Sequence, residues 1–234
     1  MARLTVEAPF DLVHVGKCGG SSIVAELRSR GFQFEHFHMR RPPAAADRRY
    51  VVLVRDPVSR FVSAFNWRCH LLENELLPAA RTQDPIARLR HRTEREFLAH
   101  FEDVNAFAER LVQTGEHEVS ALATLMQLVG HVPQGFVWYL DDLLDGIEPS
   151  QLAAVIATER LADDFEAVFG FRPVAERNRH YGSRGTALSP QGRANLAREF
   201  AAEYRTLDRL ADLARRAGTP MSMTYDPVRG AVAV

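Results

Sequence analysis

Residues 11–24 read DLVHVGKCGGSSIV. The apolar run that ends at Val15 predicts a buried strand, and the hydroxyl residues Ser21 and Ser22 predict the start of a helix. Between them lies a loop of small residues that contains Lys17, the only lysine among the 29 lysine and arginine residues of the chain. A strand, a tight turn and a helix in this order are typical of α/β proteins.

The loop has the composition of an anion-binding site. The backbone N–H groups at the start of a helix have no partners within that helix, and the helix dipole favours negative charge there. Gly19 and Gly20 allow the backbone to approach a phosphate group closely, and Lys17 adds a compact positive charge. An ordinary strand-to-helix turn with an exposed lysine is the alternative interpretation. The candidate phosphate ligands of the loop are Gly16, Lys17, Cys18, Gly19, Gly20, Ser21 and Ser22.

The order of residues in the loop differs from that of nucleoside triphosphatases. Their motif reads G-x-x-x-x-G-K-[ST], so that lysine follows the glycines and a hydroxyl group for magnesium comes next. Here Lys17 precedes the pair Gly19-Gly20. The loop therefore predicts phosphate binding without the magnesium ligand of that motif.

Strand and helix patterns alternate along the rest of the chain. The apolar run YVVLV, residues 50–54, predicts a buried strand, and Pro57 suits the first position of the next helix. The alternation predicts one P-loop-like α/β domain over residues 1–234, with a central parallel sheet flanked by helices and a helical insertion at about 70–130. Further strands are expected at residues 10–15, 32–39 and 153–158, and further helices at 121–129, at 161–169 closed by Gly170, and from Ser189 to near Gly218.

The insertion has a helical pattern of its own. Thr93 and Glu96 are three residues apart, which predicts a capping box at the start of a helix. We expect this region to add to the core fold and to cover a functional site. The apolar face of the predicted helix comprises Phe97, Phe101, Val104, Ala108 and Leu111.

The composition is that of a globular protein, and it argues against several functions. Hydrophobic residues make up 46% of the chain and the net charge is -1, so neither nucleic acid nor an anionic membrane is an expected partner. Cys18 and Cys69 are the only cysteines, and the histidines follow no metal-binding spacing, so neither a disulfide framework nor a metal site is expected. The sequence shows no signal-peptide pattern and no apolar run of the roughly 20 residues that span a bilayer, which predicts a cytoplasmic location.

A second polar motif, RDPVSRFVSAF at residues 55–65, follows the strand YVVLV. Arg55 stands at the carboxyl end of a strand, where open α/β sheets bind their ligands. Ser63 lies about two turns into the next helix, on a face other than the apolar one. The charge of Arg55 and the hydroxyl of Ser63 therefore predict a second phosphate site. A structural ion pair between Arg55 and Asp56 is the alternative.

The two motifs together resemble those of a known enzyme family. Residues 14–22, HVGKCGGSS, resemble the H-x-P-K-[TS]-[AG]-G-[TS]-S loop of sulfotransferases that use 3′-phosphoadenosine 5′-phosphosulfate (PAPS), and residues 55–65 resemble their R-D-P-x-x-R-x-x-S-x-[YF] element. The likeness is closest to the carbohydrate 2-O-sulfotransferase-like branch. It implies that the first loop holds the 5′-phosphosulfate, that Arg55 and Ser63 hold the 3′-phosphate, and that no metal is needed.

A later segment resembles the same family less closely. Residues 176–185, ERNRHYGSRG, are similar to a late basic loop that closes over the nucleotide, which implies that Arg179, Ser183 and Arg184 contact it. The departures from the family's motifs are Gly16 in place of proline, Cys18 in place of threonine or serine, and Phe65 in place of tyrosine.

Residues 34–38, FEHFH, supply the candidate base. Alternate residues of a strand face the same side, so His36 and His38 share one face. An acceptor hydroxyl loses its proton as it attacks sulfur, and histidine suits this task near neutral pH. The resemblance implies a histidine base here, because the 2-O-sulfotransferase-like branch carries a similar H-x-H. We predict His38 as the base with His36 beside it, whereas two solvated histidines are the alternative and His14 is expected to be structural.

These motifs and the resemblance predict sulfuryl transfer from PAPS to an acceptor hydroxyl of a carbohydrate or other small metabolite. His38 takes the proton, while Lys17 and the loop N–H groups stabilise the charge on the leaving group. An ATP-dependent kinase with a variant P-loop is one alternative, and it requires magnesium ligands, for which Asp56 is the only nearby candidate. A nucleotide-binding module without catalysis is another, and it requires no base. The sequence predicts no oligomeric state.

Overall fold

The computed structural model describes residues 3–74, 83–111, 116–173, 184–219 and 221–223 of the chain. Contacts among the residues divide the chain into two compact units. The described residues of the first unit fall within 1–56, 134–179 and 202–225, and those of the second fall within 57–133 and 180–201. The single domain predicted over residues 1–234 stays a prediction.

The first unit contains a four-stranded parallel sheet. Its strands are β1 (Phe10–His14), β2 (Phe34–Phe37), β3 (Tyr50–Val54) and β4 (Leu152–Ala157), in the spatial order β2-β1-β3-β4. The predicted α/β class with a parallel sheet is therefore confirmed. The strand predicted at 50–54 has the predicted bounds, whereas β2 is shorter than the predicted 32–39.

Helices follow β1, β3 and β4, whereas β2 is connected to β3 without a helix. Along the described residues they are α1 (Gly20–Ser29), α2 (Pro57–Glu73), α3 (Pro85–Ala99), α4 (Val104–Arg110), α5 (Glu116–Met126), α6 (Phe136–Gly146), α7 (Leu161–Phe169), α8 (Pro190–Glu199) and α9 (Ala201–Arg216).

The central strands of the first unit are buried on both faces. Every residue of β1, β3 and β4 is buried, as expected for parallel strands that helices cover on either side. The same core includes Ile23 from α1, Tyr139 from α6, Phe165 from α7 and Leu210 from α9. Of the predicted site residues, His38 follows β2, Lys17 follows β1 and Arg55 follows β3.

The second unit is helical in its described residues. The rings of Phe61 and Phe65 on α2 lie 5.5 and 6.2 Å from the ring of Phe107 on α4, measured between centroids. Arg68 on α2 forms an ion pair with Glu94 on α3, and Glu94 is only 4% exposed. Aromatic packing and a buried ion pair thus join α2 to the helices of the predicted insertion.

The capping box predicted at Thr93 and Glu96 is wrong. α3 begins well before these residues, and its N-cap is Asp84, whose side chain accepts a hydrogen bond from the first turn. Thr93 lies inside the helix, and its hydroxyl donates to the carbonyl oxygen of Leu89 at 3.0 Å. α4 has a separate N-cap, Asp103, so the predicted apolar face is shared by two helices.

The long helix predicted from Ser189 to near Gly218 is two helices. The predicted cap is confirmed, because the side chain of Ser189 accepts a hydrogen bond at the start of α8. Phe200 separates α8 from α9, is 5% exposed and has its ring 5.6 Å from that of Phe61. Phe200 is the C-cap of α8, with φ -92° and ψ 17°, and α9 begins at the next residue.

Candidate active site

The segment from Val15 to Gly19, here called the phosphate loop, joins β1 to α1. Lys17 and Gly19 both have left-handed backbone conformations, with φ values of 72° and 76°. Gly19 is the N-cap of α1, and the helix begins at Gly20, slightly before the predicted start. Because glycine has no capping side chain, the N–H groups of the first helical turn suit an anionic ligand. This backbone geometry fits the phosphate site predicted from the sequence.

Two cationic side chains meet at the phosphate loop. Arg55 directly follows β3, and its Nη1 donates to the backbone oxygen of Lys17 at 3.2 Å. Burial, and then the nearby charge of Arg55, lower the pKa of Lys17 to about 8. Like charges that are close together and partly removed from water are stabilised by a bound anion. The residues present therefore fit the phosphate and sulfate groups of PAPS.

The backbone around Arg55 is anchored by three residues from distant parts of the first unit. The hydroxyl of Thr158 donates to the last carbonyl group of β3 at 2.9 Å. The N–H of Asp56 donates to the carboxylate of Glu159 at 2.9 Å, and the hydroxyl of Tyr204 donates to the carboxylate of Asp56 at 2.7 Å. These bonds fix the end of β3 and so limit the positions of the guanidinium group. Arg55 was predicted from the sequence, whereas none of the residues that support it was.

The other predicted ligands of the phosphate loop differ in exposure. Cys18 is fully buried, its Sγ lies 4.0 Å from the oxygen of Gly16, and its N–H donates to the oxygen of Val15 at 3.2 Å. Ser21 is exposed, whereas Ser22 is 6% exposed. The thiol of Cys18 therefore shapes the turn from the core side. The contacts predicted between these residues and PAPS stay predictions.

A histidine cluster, formed by His14, His36 and His38, lies at the ends of β1 and β2. The ring centroid of His14 lies 4.2 Å from that of His38 and 5.2 Å from that of His36, and all three rings are stacked. The planes of His36 and His38 differ by 4°, with centroids 5.9 Å apart. The prediction that these two side chains share one face is therefore confirmed.

Two hydrogen bonds link the rings of the cluster to each other and to the backbone. The Nδ1 of His38 lies 3.2 Å from the backbone oxygen of His14. A carbonyl oxygen only accepts, so Nδ1 of His38 carries a proton and neutral His38 has its lone pair on Nε2. The Nδ1 of His14 lies 3.0 Å from Nε2 of His36. Burial, and then the positive charge of His38, lower the pKa of His36 to about 4, so His36 is neutral at neutral pH.

His14 was expected to be structural only, yet its ring contacts both other histidines. Parallel pairing sets Leu12 opposite His36. His14 comes two residues after Leu12, so it lies on the same face, next to His38. Each strand pattern was visible in the sequence, but the pairing of β1 with β2 that joins the histidines was not.

Two predicted nucleotide ligands belong to the second unit. Ser63 is half-buried on α2. Arg184 donates from Nη1 to two carbonyl oxygens near the end of α3 at 3.0 and 3.1 Å, and its Nη2 pairs with Glu73 at 2.6 Å. These contacts give Arg184 a structural role at a helix C-terminus. Arg179 and Ser183 lie outside the described residues, and the nucleotide contacts of all four residues stay predictions.

In the described ranges of the chain, no three histidine, cysteine, aspartate or glutamate side chains are grouped so as to hold a metal ion. Among the helices that the structure describes, none is both long and apolar enough to cross a membrane.

Comparison with known proteins identifies the family. The model of the sulfotransferase family matches residues 14–146, more than half of the chain, and this range includes the phosphate loop, the histidine cluster and Arg55. Neither a curated protein nor a solved structure matches the chain. The family match does not distinguish branches, so the likeness to carbohydrate 2-O-sulfotransferases stays a prediction. The chain belongs to the sulfotransferase family, and it is an enzyme that takes its sulfuryl group from PAPS.

Proposed function

We propose that this enzyme transfers the sulfuryl group of PAPS to a hydroxyl group of a carbohydrate or other small metabolite, with His38 as the general base. Membership of the sulfotransferase family supports the donor and the reaction type. The observation that carries the choice of base is the hydrogen bond from Nδ1 of His38 to the oxygen of His14, at 3.2 Å. That bond leaves the lone pair of neutral His38 on Nε2, the atom that accepts the proton.

The proposed reaction is an in-line displacement at sulfur. A bond forms between the acceptor oxygen and sulfur, the bond between sulfur and the 5′-phosphate oxygen breaks, and 3′,5′-ADP leaves. The proton of the acceptor hydroxyl moves to Nε2 of His38. PAPS supplies the activated bond to sulfur, and the protein supplies orientation and complementary charge.

Lys17 and the N–H groups at the start of α1 act on the leaving group. Negative charge grows on the 5′-phosphate as its bond to sulfur breaks, and preorganised donors in a partly buried loop stabilise that charge without rearranging. The pKa of Lys17, lowered to about 8, leaves the side chain mostly charged at neutral pH. The Nη1 of Arg55 donates to the backbone oxygen of Lys17 at 3.2 Å, which supports the proposed part of Arg55 in binding the nucleotide.

His36 supports the base by staying neutral. When His38 takes the proton, it becomes positively charged within a stack of three rings. A second charge on His36 would oppose that step, and the pKa of His36, lowered to about 4, prevents it at neutral pH. We therefore assign the base to His38 and a secondary role in the cluster to His36.

A carbohydrate acceptor is supported by the resemblance of the H-x-H segment to that of the 2-O-sulfotransferase-like branch. The acceptor is identified by incubating the protein with radiolabelled PAPS and a panel of sugars, phenols and lipids, with and without EDTA. Transfer that persists in EDTA supports the proposal. If parallel reactions with radiolabelled ATP show phosphate transfer that is lost in EDTA, the result would instead support a kinase.

The base is tested with His38→Asn, with His100→Asn as the matched control. His100 is an exposed histidine at the end of α3 in the second unit. Loss of a general base is expected to lower turnover by roughly 10²- to 10⁴-fold in His38→Asn, with 3′,5′-ADP binding retained. Full transfer activity in His38→Asn would remove His38 from the proposal.

A further inference from the structure

Tyr139 contacts the backbone immediately after the proposed base. Its hydroxyl accepts a hydrogen bond from the N–H of Met39 at 2.7 Å. Met39 has a left-handed backbone with φ 59°, a conformation that residues with a side chain rarely adopt. The side chain of Met39 is on the surface, with the residue 49% exposed, so packing of that side chain does not impose the conformation. The hydrogen bond to Tyr139 is therefore a direct restraint on this strained residue.

The hydroxyl of Tyr139 is held in place by the core of the first unit. Tyr139 is 2% exposed and packs within the hydrophobic core. It stands in the first turn of α6, whose first N–H group, that of Phe136, donates to the carboxylate of Glu203 at 2.5 Å. Glu203 thus caps α6 from α9. A buried ring on a capped helix gives its hydroxyl a fixed position.

We infer that Tyr139 is a positioning residue that aims His38 for proton transfer, an inference that rests on the proposed role of His38 as base. The bond from Met39 restrains the peptide group that joins His38 to Met39, while the carbonyl of His14 restrains the imidazole at Nδ1. Backbone and ring are therefore both restrained, and the direction of Nε2 follows from these two bonds. Tyr139 acts through the backbone and touches neither PAPS nor the acceptor in this scheme.

The chain offers a matched control for removing a buried tyrosine hydroxyl. Tyr50 is 0% exposed in the same core, and its hydroxyl accepts from the N–H of Ala45 at 3.1 Å and donates to the oxygen of Pro43 at 2.7 Å. It begins β3, whereas His38 follows the end of the parallel strand β2, so the two sites lie at opposite ends of the sheet. Tyr50→Phe therefore reports the general cost of losing such a hydroxyl.

The experiment compares Tyr139→Phe with Tyr50→Phe in the full chain. Imidazole nitrogen shifts in the NMR spectrum, with His38 assigned from its loss in His38→Asn, report the tautomer of His38. Turnover is measured as release of 3′,5′-ADP from PAPS with water as the acceptor, as a function of pH. In Tyr139→Phe we expect a mixture of His38 tautomers, a kcat lower by about 10- to 100-fold, an altered pH profile and an unchanged KM for PAPS. In Tyr50→Phe we expect none of these changes, although both variants lose stability.

The outcomes separate this inference from the proposed function. A Tyr139→Phe protein whose His38 spectrum and turnover match those of the unmodified protein overturns the inference. Equal changes at His38 in both variants also overturn it, because they indicate a general loss of structure. Normal turnover in His38→Asn refutes the proposed base, while the His38 spectrum of Tyr139→Phe still decides whether Tyr139 positions the ring.

Discussion

The imidazole of His14 lies directly against the backbone of Gly20. A Cβ atom added to Gly20 would lie 2.2 Å from Cδ2 and 2.3 Å from Cγ of His14, far inside van der Waals contact. Gly20 is the first residue of α1, and His14 also stacks on His36 and His38. The ring of His14 therefore fills the space between the phosphate loop's helix and the proposed base.

This contact predicts the effect of Gly20→Ala. The new methyl group must displace the His14 ring, and we expect a loss of about 1–3 kcal/mol in the free energy of unfolding together with reduced turnover. Gly31→Ala is the control: Gly31 has φ +77° and nothing within 4 Å of an added Cβ, so it incurs backbone strain without a clash. Denaturant unfolding and PAPS turnover check the result. Activity in Gly20→Ala equal to that in Gly31→Ala would contradict the coupling.

The lowered pKa of Lys17 predicts that nucleotide binding depends on pH. With its pKa lowered to about 8, the unliganded protein loses this charge as the pH rises through that value. A bound phosphate favours the charged amine and raises its pKa, so binding of 3′,5′-ADP takes up a proton above pH 8 and weakens as the pH rises. Calorimetric titrations in two buffers of different ionisation enthalpy measure the uptake, and Lys17→Met should abolish it.

The same titration tests the influence of Arg55 on Lys17. The positive charge of Arg55 is the second cause, after burial, of the lowered pKa of Lys17. Arg55→Gln removes that charge, so proton uptake should begin at a higher pH than in the unmodified protein. The same onset of uptake in both proteins would show that burial alone sets the pKa of Lys17.

Ser63 is predicted to distinguish nucleotides by their 3′-phosphate. The family resemblance assigns its hydroxyl to that group, and the structure places it half-buried on α2. Ser63→Ala should weaken binding of 3′,5′-ADP and leave that of 5′-AMP unchanged, because only the first ligand carries the 3′-phosphate. A ligand at 100 times its Kd raises stability by roughly 2.7 kcal/mol, so thermal shifts suffice. Ser59→Ala, one turn earlier on α2, is the control, and equal losses for both nucleotides would count against the assignment.

The lowered pKa of His36 predicts that the protein loses stability in acid. Its pKa is lowered to about 4 from an ordinary 6.5, first by burial and then by the charges of His38, Arg28 and Arg40. Between these pH values the unfolded chain binds a proton that the folded protein does not, so stability present above pH 6.5 is lost as the pH falls toward 4. His36→Gln should flatten the fall in Tm over this range, whereas the exposed control His100→Gln should not.

Local signals explain which elements the sequence predicted well. YVVLV is a continuous apolar run, and it forms β3 with the predicted bounds. The helix predicted at 161–169 is also observed, because Gly170 adopts the left-handed conformation, φ 84°, that ends it. In both cases the residues that define the element lie inside it or next to it.

Elements that depend on distant residues were not predicted. α6 was missed, and its N-cap Gly135 has no capping side chain, because the cap is the carboxylate of Glu203 on α9. The candidate site likewise has a part that was predicted and a part that was not. The predicted residues, Lys17, His36, His38 and Arg55, stand in local motifs. The supports of Arg55 come from residues more than 100 positions away in the chain, which no local pattern reveals.

Lys17 also gives the protein a single lysine side chain for amine chemistry. It is the only lysine, it is half-buried rather than enclosed, and its lowered pKa exposes a nucleophilic amine at mildly alkaline pH. An acylating reagent therefore modifies one lysine side chain, and that modification lies in the phosphate loop. Protection of this amine by 3′,5′-ADP can be followed by intact-protein mass spectrometry. Mapping of nucleotide contacts and the design of covalent inhibitors can both begin from this residue.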